Sequence, residues 1–195
     1  MIYAAFLPPI GCSLTHAAES EGTKNLLLHF YKMLFGDKMP TIEKTALGKP
    51  YFAPENGKSF SLSHSHGAMA VVLCDDGADV GIDIEAEIDD EKLGRISTRF
   101  PFVKKRSSPL IGGEIALYKA TPTEDGFAFD AIEKTPVDEP FGTFFWTETE
   151  ALLKADGDGF AGSKRLDELE RTHETSSYIF DEFYLSIAKQ TEICK

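Results

Sequence analysis

Positive charge is in short supply in this chain: 20 lysines and arginines stand against 32 aspartates and glutamates, a formal charge of -12 over 195 residues. That balance excludes general attraction to nucleic acid or to an anionic membrane, because both carry the same sign of charge. Cysteine is scarce as well. Cys12, Cys74 and Cys194 are odd in number, widely spaced and outside any CxxC pattern, so neither a disulfide framework nor a zinc site is signalled and a reducing cytoplasm is the expected setting. No apolar run is long enough to span a bilayer. The opening MIYAAFLPPIGC lacks the basic start of a secretion signal and is cut by Pro8-Pro9, so residues 1–7 read as an edge strand.

What is present suits an ordered globule, one domain or two intimately packed halves. Hydrophobic residues make up 42% of the chain and fifteen are phenylalanine, enough apolar surface to offset conformational entropy. Leu26, Leu27, Phe30, Met33 and Leu34 recur at helical spacing before Gly36, which predicts a core helix over 20–35. Residues 37–59, rich in Gly and Pro, read as loop. Two β-rich runs, 68–73 and 80–85, flank CDDGAD and read as an antiparallel hairpin. A helix is expected over 89–100, ended by Pro101, and a further hairpin around TPTEDG within 107–143. FWTETEALLKADGDG reads as a helix with a glycine stop, SKRLDELERTH as a shorter one, and SYIFDEFYLSIAK as closing strands. The mixture points to α+β.

Three groups of residues carry possible chemistry. Asp83 and Glu85 are two apart in a strand, so they leave the same face with Cα atoms roughly 7 Å apart, while Ile82 and Ile84 point the other way. A solvent-facing strand side accounts for such a pair. So does a divalent cation, since magnesium favours one or two carboxylates, retained water and a substrate phosphate. Trp146, Glu150 and Lys154 recur every four residues along one helical face, which fits either a surface ion pair or a third ligand and a phosphate-neutralising lysine. In SHSH, Ser63, Ser65 and His64 offer donors to phosphate oxygen, and His64 also suits metal or a structural role. Lys49, in GKPYF, is a usable phosphate contact.

Taken in order, GKPYF (48–52), FSLSHS (60–65), VGIDIE (80–85) and FWTETEALLK (145–154) resemble the signature motifs of the 4'-phosphopantetheinyl transferases, surfactin-synthetase type. RISTRF (95–100) resembles the segment after that family's acidic motif. The resemblance implies a pseudo-twofold pair of α+β halves, 1–79 and 80–195, each a small antiparallel sheet on a long helix, with the active site between them. It implies transfer of phosphopantetheine from coenzyme A to a serine of an acyl or peptidyl carrier protein, releasing adenosine 3',5'-bisphosphate. By the same resemblance Asp83, Glu85 and Glu150 match metal ligands for Mg2+, with Mn2+ suited to the same oxygens. Glu150, Lys154 and His64 match the catalytic groups, and Lys24, Lys49, Ser63, His64 and Lys154 the coenzyme A contacts.

An acidic enzyme meeting an acidic carrier needs a local basic surface. Arg95, Arg99, Lys104, Lys105 and Arg106 supply the expected one. Thr149 stands where the family usually has lysine, which would remove a positive charge from the site. The N-terminal half is short, and the long interval before Trp146 reads as an insertion. Two rival readings stay open on residues alone: another Mg-dependent phosphotransferase, and a catalytically weak or silent protein that binds carrier or coenzyme A.

Overall fold

The computed structural model describes residues 1–11, 14–36, 38–54 and 56–191. Cys12 and Cys194 lie outside the described residues, and Cys74 is a free, buried thiol. The fold is α+β, with a mixed five-stranded sheet whose strands lie in the order 59–65, 68–74, 2–7, 115–123 and 126–132, a three-stranded antiparallel sheet in the order 80–86, 183–190 and 173–180, and a small pair formed by 41–44 and 50–53.

The first strand, β1 (Ile2–Leu7), is central rather than an edge. It pairs antiparallel with β5 (Ala68–Cys74) and parallel with β7 (Ile115–Thr123). The run IYAAFL is apolar on both faces, the mark of a strand covered on both sides. Ala5 and Leu7 pack under helix α1 (His16–Phe35) with Leu26, Leu27 and Phe30, while Ile2, Ala4 and Phe6 face the second sheet. Thr15 caps α1 by accepting from the Ala18 amide, and Gly36 ends it in the left-handed conformation that glycine tolerates.

The expected hairpin around CDDGAD does not form. The hairpin instead joins β4 (Ser59–Ser65) to β5 across His66-Gly67, both at positive φ, as a two-residue hairpin turn requires. With β4 on one edge and β1 on the other, β5 has no edge left. The chain after Asp79 therefore crosses to the other sheet, where β6 (Val80–Ala86) pairs with β10 (Phe183–Gln190). Ile82 and Ile84 fill the core between the sheets. Residues 37–59 are not all loop either: β2 (Thr41–Lys44) pairs with β3 (Pro50–Ala53), a strand whose proline sits at its first residue.

Helix α2 (Asp90–Arg99) is capped by Asp89 and stops before Pro101 as expected. The hairpin around TPTEDG is β7 with β8 (Gly126–Ile132). It completes the first sheet, so that sheet draws strands from both sides of residue 79 and is mixed rather than purely antiparallel. Helix α3 (Phe144–Asp156) ends at Gly157 and covers the outer face of the second sheet. A 3-10 turn (Gly159–Arg165), α4 (Leu166–Thr172), β9 (His173–Phe180) and β10 complete the chain. The layers run α1, five-stranded sheet, three-stranded sheet, α3. Among the described residues no helix is long and apolar enough to cross a membrane.

Candidate active site

The site is built where β4, β6 and α3 meet. Period-two alternation on β6 turns Asp83 and Glu85 away from the core that holds Ile82 and Ile84. Helix α3 approaches β6 closely because position 81 is glycine. A Cβ there would fall inside contact distance of the Ala151 carbonyl and the Ala155 amide. That approach carries Glu150 and Lys154 to the acidic strand.

Lys154 Nζ donates to Asp83 Oδ1 at 2.6 Å and to Ser63 Oγ at 3.1 Å, and the Ser63 hydroxyl donates to the same carboxyl oxygen at 2.8 Å. Asp83 is 4% exposed, and its Oδ2 is buried with no partner. Ser65 donates to Glu85 at 2.6 Å. The serines also close the seam between the sheets: Ser61 and Ser63 Oγ accept from the Ile82 and Ile84 amides at 3.2 and 3.3 Å. Ser61 was not singled out from sequence, although Ser61, Ser63 and Ser65 at every second position of one strand are the signal for a polar rib on one face.

Burial pushes the Glu150 carboxyl up to about 7; the negative charges of Asp83 and Glu85 push the same way and Lys154 opposes them. Burial also raises Glu85, against the Ser65 hydrogen bond. Three mutually repelling carboxylates in a half-dry site create a demand for positive charge that Lys154 meets in part. Among the described residues, no three His, Cys, Asp or Glu side chains converge closely enough to form a metal cage by themselves. A magnesium ion needs fewer protein ligands than that, because it keeps waters and shares substrate phosphate oxygens. The orphaned Asp83 oxygen and the hard oxygen donors beside it fit such an ion.

A cavity of about 250 Å³ opens beside this cluster, lined by Lys49, Phe60, Leu62, Glu150, Lys154 and Phe160 among others. Its wall is mostly apolar, with two lysines, Lys49 and Lys154, and one carboxylate, Glu150, among the lining residues. Lys49 is held by Asp79 and by the Ala155 carbonyl at 2.6 Å.

Several expected residues lie elsewhere. His64 points to the opposite side of β4 from Ser63 and Ser65, so serine and histidine do not share a wall. Its Nδ1 sits 3.1 Å from Glu19 Oε2, and the other Glu19 oxygen accepts from the Gly67 amide at 2.6 Å. Burial lowers the His64 pKa despite Glu19. Glu19, unnoticed in the sequence, thus ties α1 to the β4–β5 turn. Lys24 is exposed on α1 beside Glu21 and does not line the cavity.

Thr149 does not face the cleft. It is fully buried, donates to the Phe145 carbonyl at 2.7 Å, and accepts from Arg106 Nε at 3.4 Å. Arg106 is likewise no surface residue. At 6% exposure it pairs with Glu170 at 3.4 Å and donates to the Phe102 carbonyl at 2.5 Å. The basic surface expected from sequence therefore loses Arg106 and keeps Arg95, Arg99, Lys104 and Lys105, all exposed.

No known family model matches the chain, and no curated protein matches it.

Proposed function

We propose that this protein is a Mg-dependent 4'-phosphopantetheinyl transferase that moves phosphopantetheine from coenzyme A to a serine of an acyl or peptidyl carrier protein. The observation that carries the reading is the contact of Asp83 with Lys154 on a helix that also brings Glu150, beside a cavity with a second lysine, Lys49. Those are the residues of three of the four resembling motifs, and Ser63 of the fourth joins them. The coarse architecture is in keeping with paired halves, since α1 lies on one sheet and α3 on the other.

Asp83 and Glu85, with Glu150 next to them, would hold Mg2+, which when bound supplies neutralisation of pyrophosphate charge. Lys154 and Lys49, which line the cavity, would bind phosphate oxygens, and its apolar wall would take the less polar parts of coenzyme A. The carrier serine oxygen forms a bond to phosphorus as the pyrophosphate P–O bond breaks, and adenosine 3',5'-bisphosphate leaves. Glu150, whose carboxyl burial raises to about 7, would take the serine proton. Arg95, Arg99, Lys104 and Lys105 offer an acidic carrier its landing surface.

The test is intact-mass spectrometry of several apo carrier proteins after incubation with the protein, coenzyme A and Mg2+. A gain of one phosphopantetheine, lost with EDTA and with Asp83→Ala, is the expected result. No gain on any carrier would overturn the transferase reading.

A further inference from the structure

The two larger sheets have four edges, and three are closed. The edges of β4 and β6 meet, with Ser61 and Ser63 hydroxyls accepting the Ile82 and Ile84 amides. The β9 edge is covered by Pro109–Ile111 and Val137: the Thr175 amide donates to the Pro109 carbonyl at 2.8 Å, Ile111 to Thr175 at 3.3 Å, and Val137 to Ser177 at 2.8 Å. The fourth edge is β8. Among the described residues it pairs with β7 on one side, and no backbone hydrogen bond closes its other side.

An open edge is a template for another strand, and chains that must stay monomeric blunt it with lysine, proline or a bulge. Nothing of that kind is present in GFAFDAI, residues 126–132, which is seven residues long and has β-forming aromatic and branched side chains. Its single charge, Asp130, lies directly across from Lys119 of β7 and so is offset within the sheet. Ala128, Asp130 and Ala131 are exposed, and Phe127 and Phe129 are only half-buried under α1.

We infer that β8 is a self-association edge, which pairs antiparallel with β8 of a second copy to join two five-stranded sheets into one. The sequence of the strand selects both the occupant and the register. A two-fold axis normal to the sheet must pass through one residue, and each candidate axis sets which side chains meet. An axis at Asp130 sets two aspartates opposite each other, one at Phe127 sets Glu124 against Asp130, and one at Phe129 sets Asp125 against Glu133; each places like charges together. An axis at Ala128 places Phe127 of each copy opposite Phe129 of the other, twice over, and Asp130 opposite Gly126. No like charges are then directly opposed from Thr123 to Glu133. An aromatic pair made twice by one short strand is self-complementary in a way that a foreign peptide need not match.

Sedimentation velocity on the full chain over a broad concentration range tests this. The mass should rise from 21.5 kDa toward twice that value. Ala128→Lys, at an exposed position, sets two lysines against each other on the axis and should raise the dimer dissociation constant about tenfold or more. Ala128→Cys places two residues directly opposite each other with Cβ atoms ~4.5–5.5 Å apart, so mild oxidation should give a linked dimer that wild type does not form. A chain that remains monomeric at every concentration would overturn the inference. So would a dimer that Ala128→Lys leaves unchanged and Ala128→Cys does not link. None of these measurements depends on transferase activity.

Discussion

Lys154 and Asp83, 71 residues apart in sequence, are joined by a 2.6 Å contact that leaves the second Asp83 oxygen buried and unpartnered. The lysine thus stabilises an acidic strand without saturating it, and the free oxygen is the place where a further positive group would bind most favourably. On the proposed transferase reading, Lys154→Met should lower kcat/KM about 100-fold, because the cation assigned to the developing charge is lost. Steady-state transfer assays measure this, and isothermal titration with Mg2+ alone reports separately on the carboxylates.

Gly81 is what permits α3 to approach β6. Gly81→Ala should cost about 1–3 kcal/mol through overpacking against the Ala151 carbonyl. Urea denaturation measures the loss, and activity should fall with it because Glu150 and Lys154 are displaced from Asp83.

Thr149→Lys should not raise the proposed transfer activity. The side chain is buried against Arg106 and the Phe145 carbonyl, so a second cation there should destabilise the fold by about 3 kcal/mol or more. A thermal melt showing unchanged stability together with faster transfer would contradict this placement.

Glu148, buried on the other side of α3, accepts from Ser177 at 3.0 Å, and burial raises its carboxyl to about 7. The folded chain therefore holds a proton, between pH 4.5 and about 7, that the unfolded chain has released. The stability this group confers is complete below pH 4.5 and declines as pH rises through about 7. Glu148→Gln, which cannot ionise, should gain on wild type across that window by up to about 3 kcal/mol. Denaturation curves at several pH values for both chains measure the difference.

The basic surface and Arg106 should separate cleanly in mutagenesis. Reversing the charge of Lys104 and Lys105, which are exposed and paired at the surface with Asp167 and Glu139, should raise the KM for the proposed acidic carrier and weaken its salt dependence. Stability should barely change. Arg106→Ala should instead cost about 3 kcal/mol, since it empties a buried site and takes the ionic partner from Glu170, leaving that carboxylate the Ser107 amide.

The local elements and the chemistry-bearing residues were legible along the chain. Helical spacing marked α1 and α3, glycines marked their ends, alternation put Asp83 and Glu85 on one face, and TPTEDG marked the β7–β8 turn. These are properties of neighbours in the chain, set by backbone sterics and side-chain period. Tertiary structure alone decided what those elements sit against. Both CDDGAD and SHG look like hairpin turns, and only the filling of both β5 edges sends the first of them across to the second sheet. Arg106 and Lys105 are adjacent and equally basic in sequence. The helix of Glu170 buries one and leaves the other in water, because burial depends on what packs over a residue rather than on its type. His64 and Ser63 are separated in the same way: one strand residue between two layers turns one side chain to α1 and Glu19, and the other to the carboxylates it was expected to share.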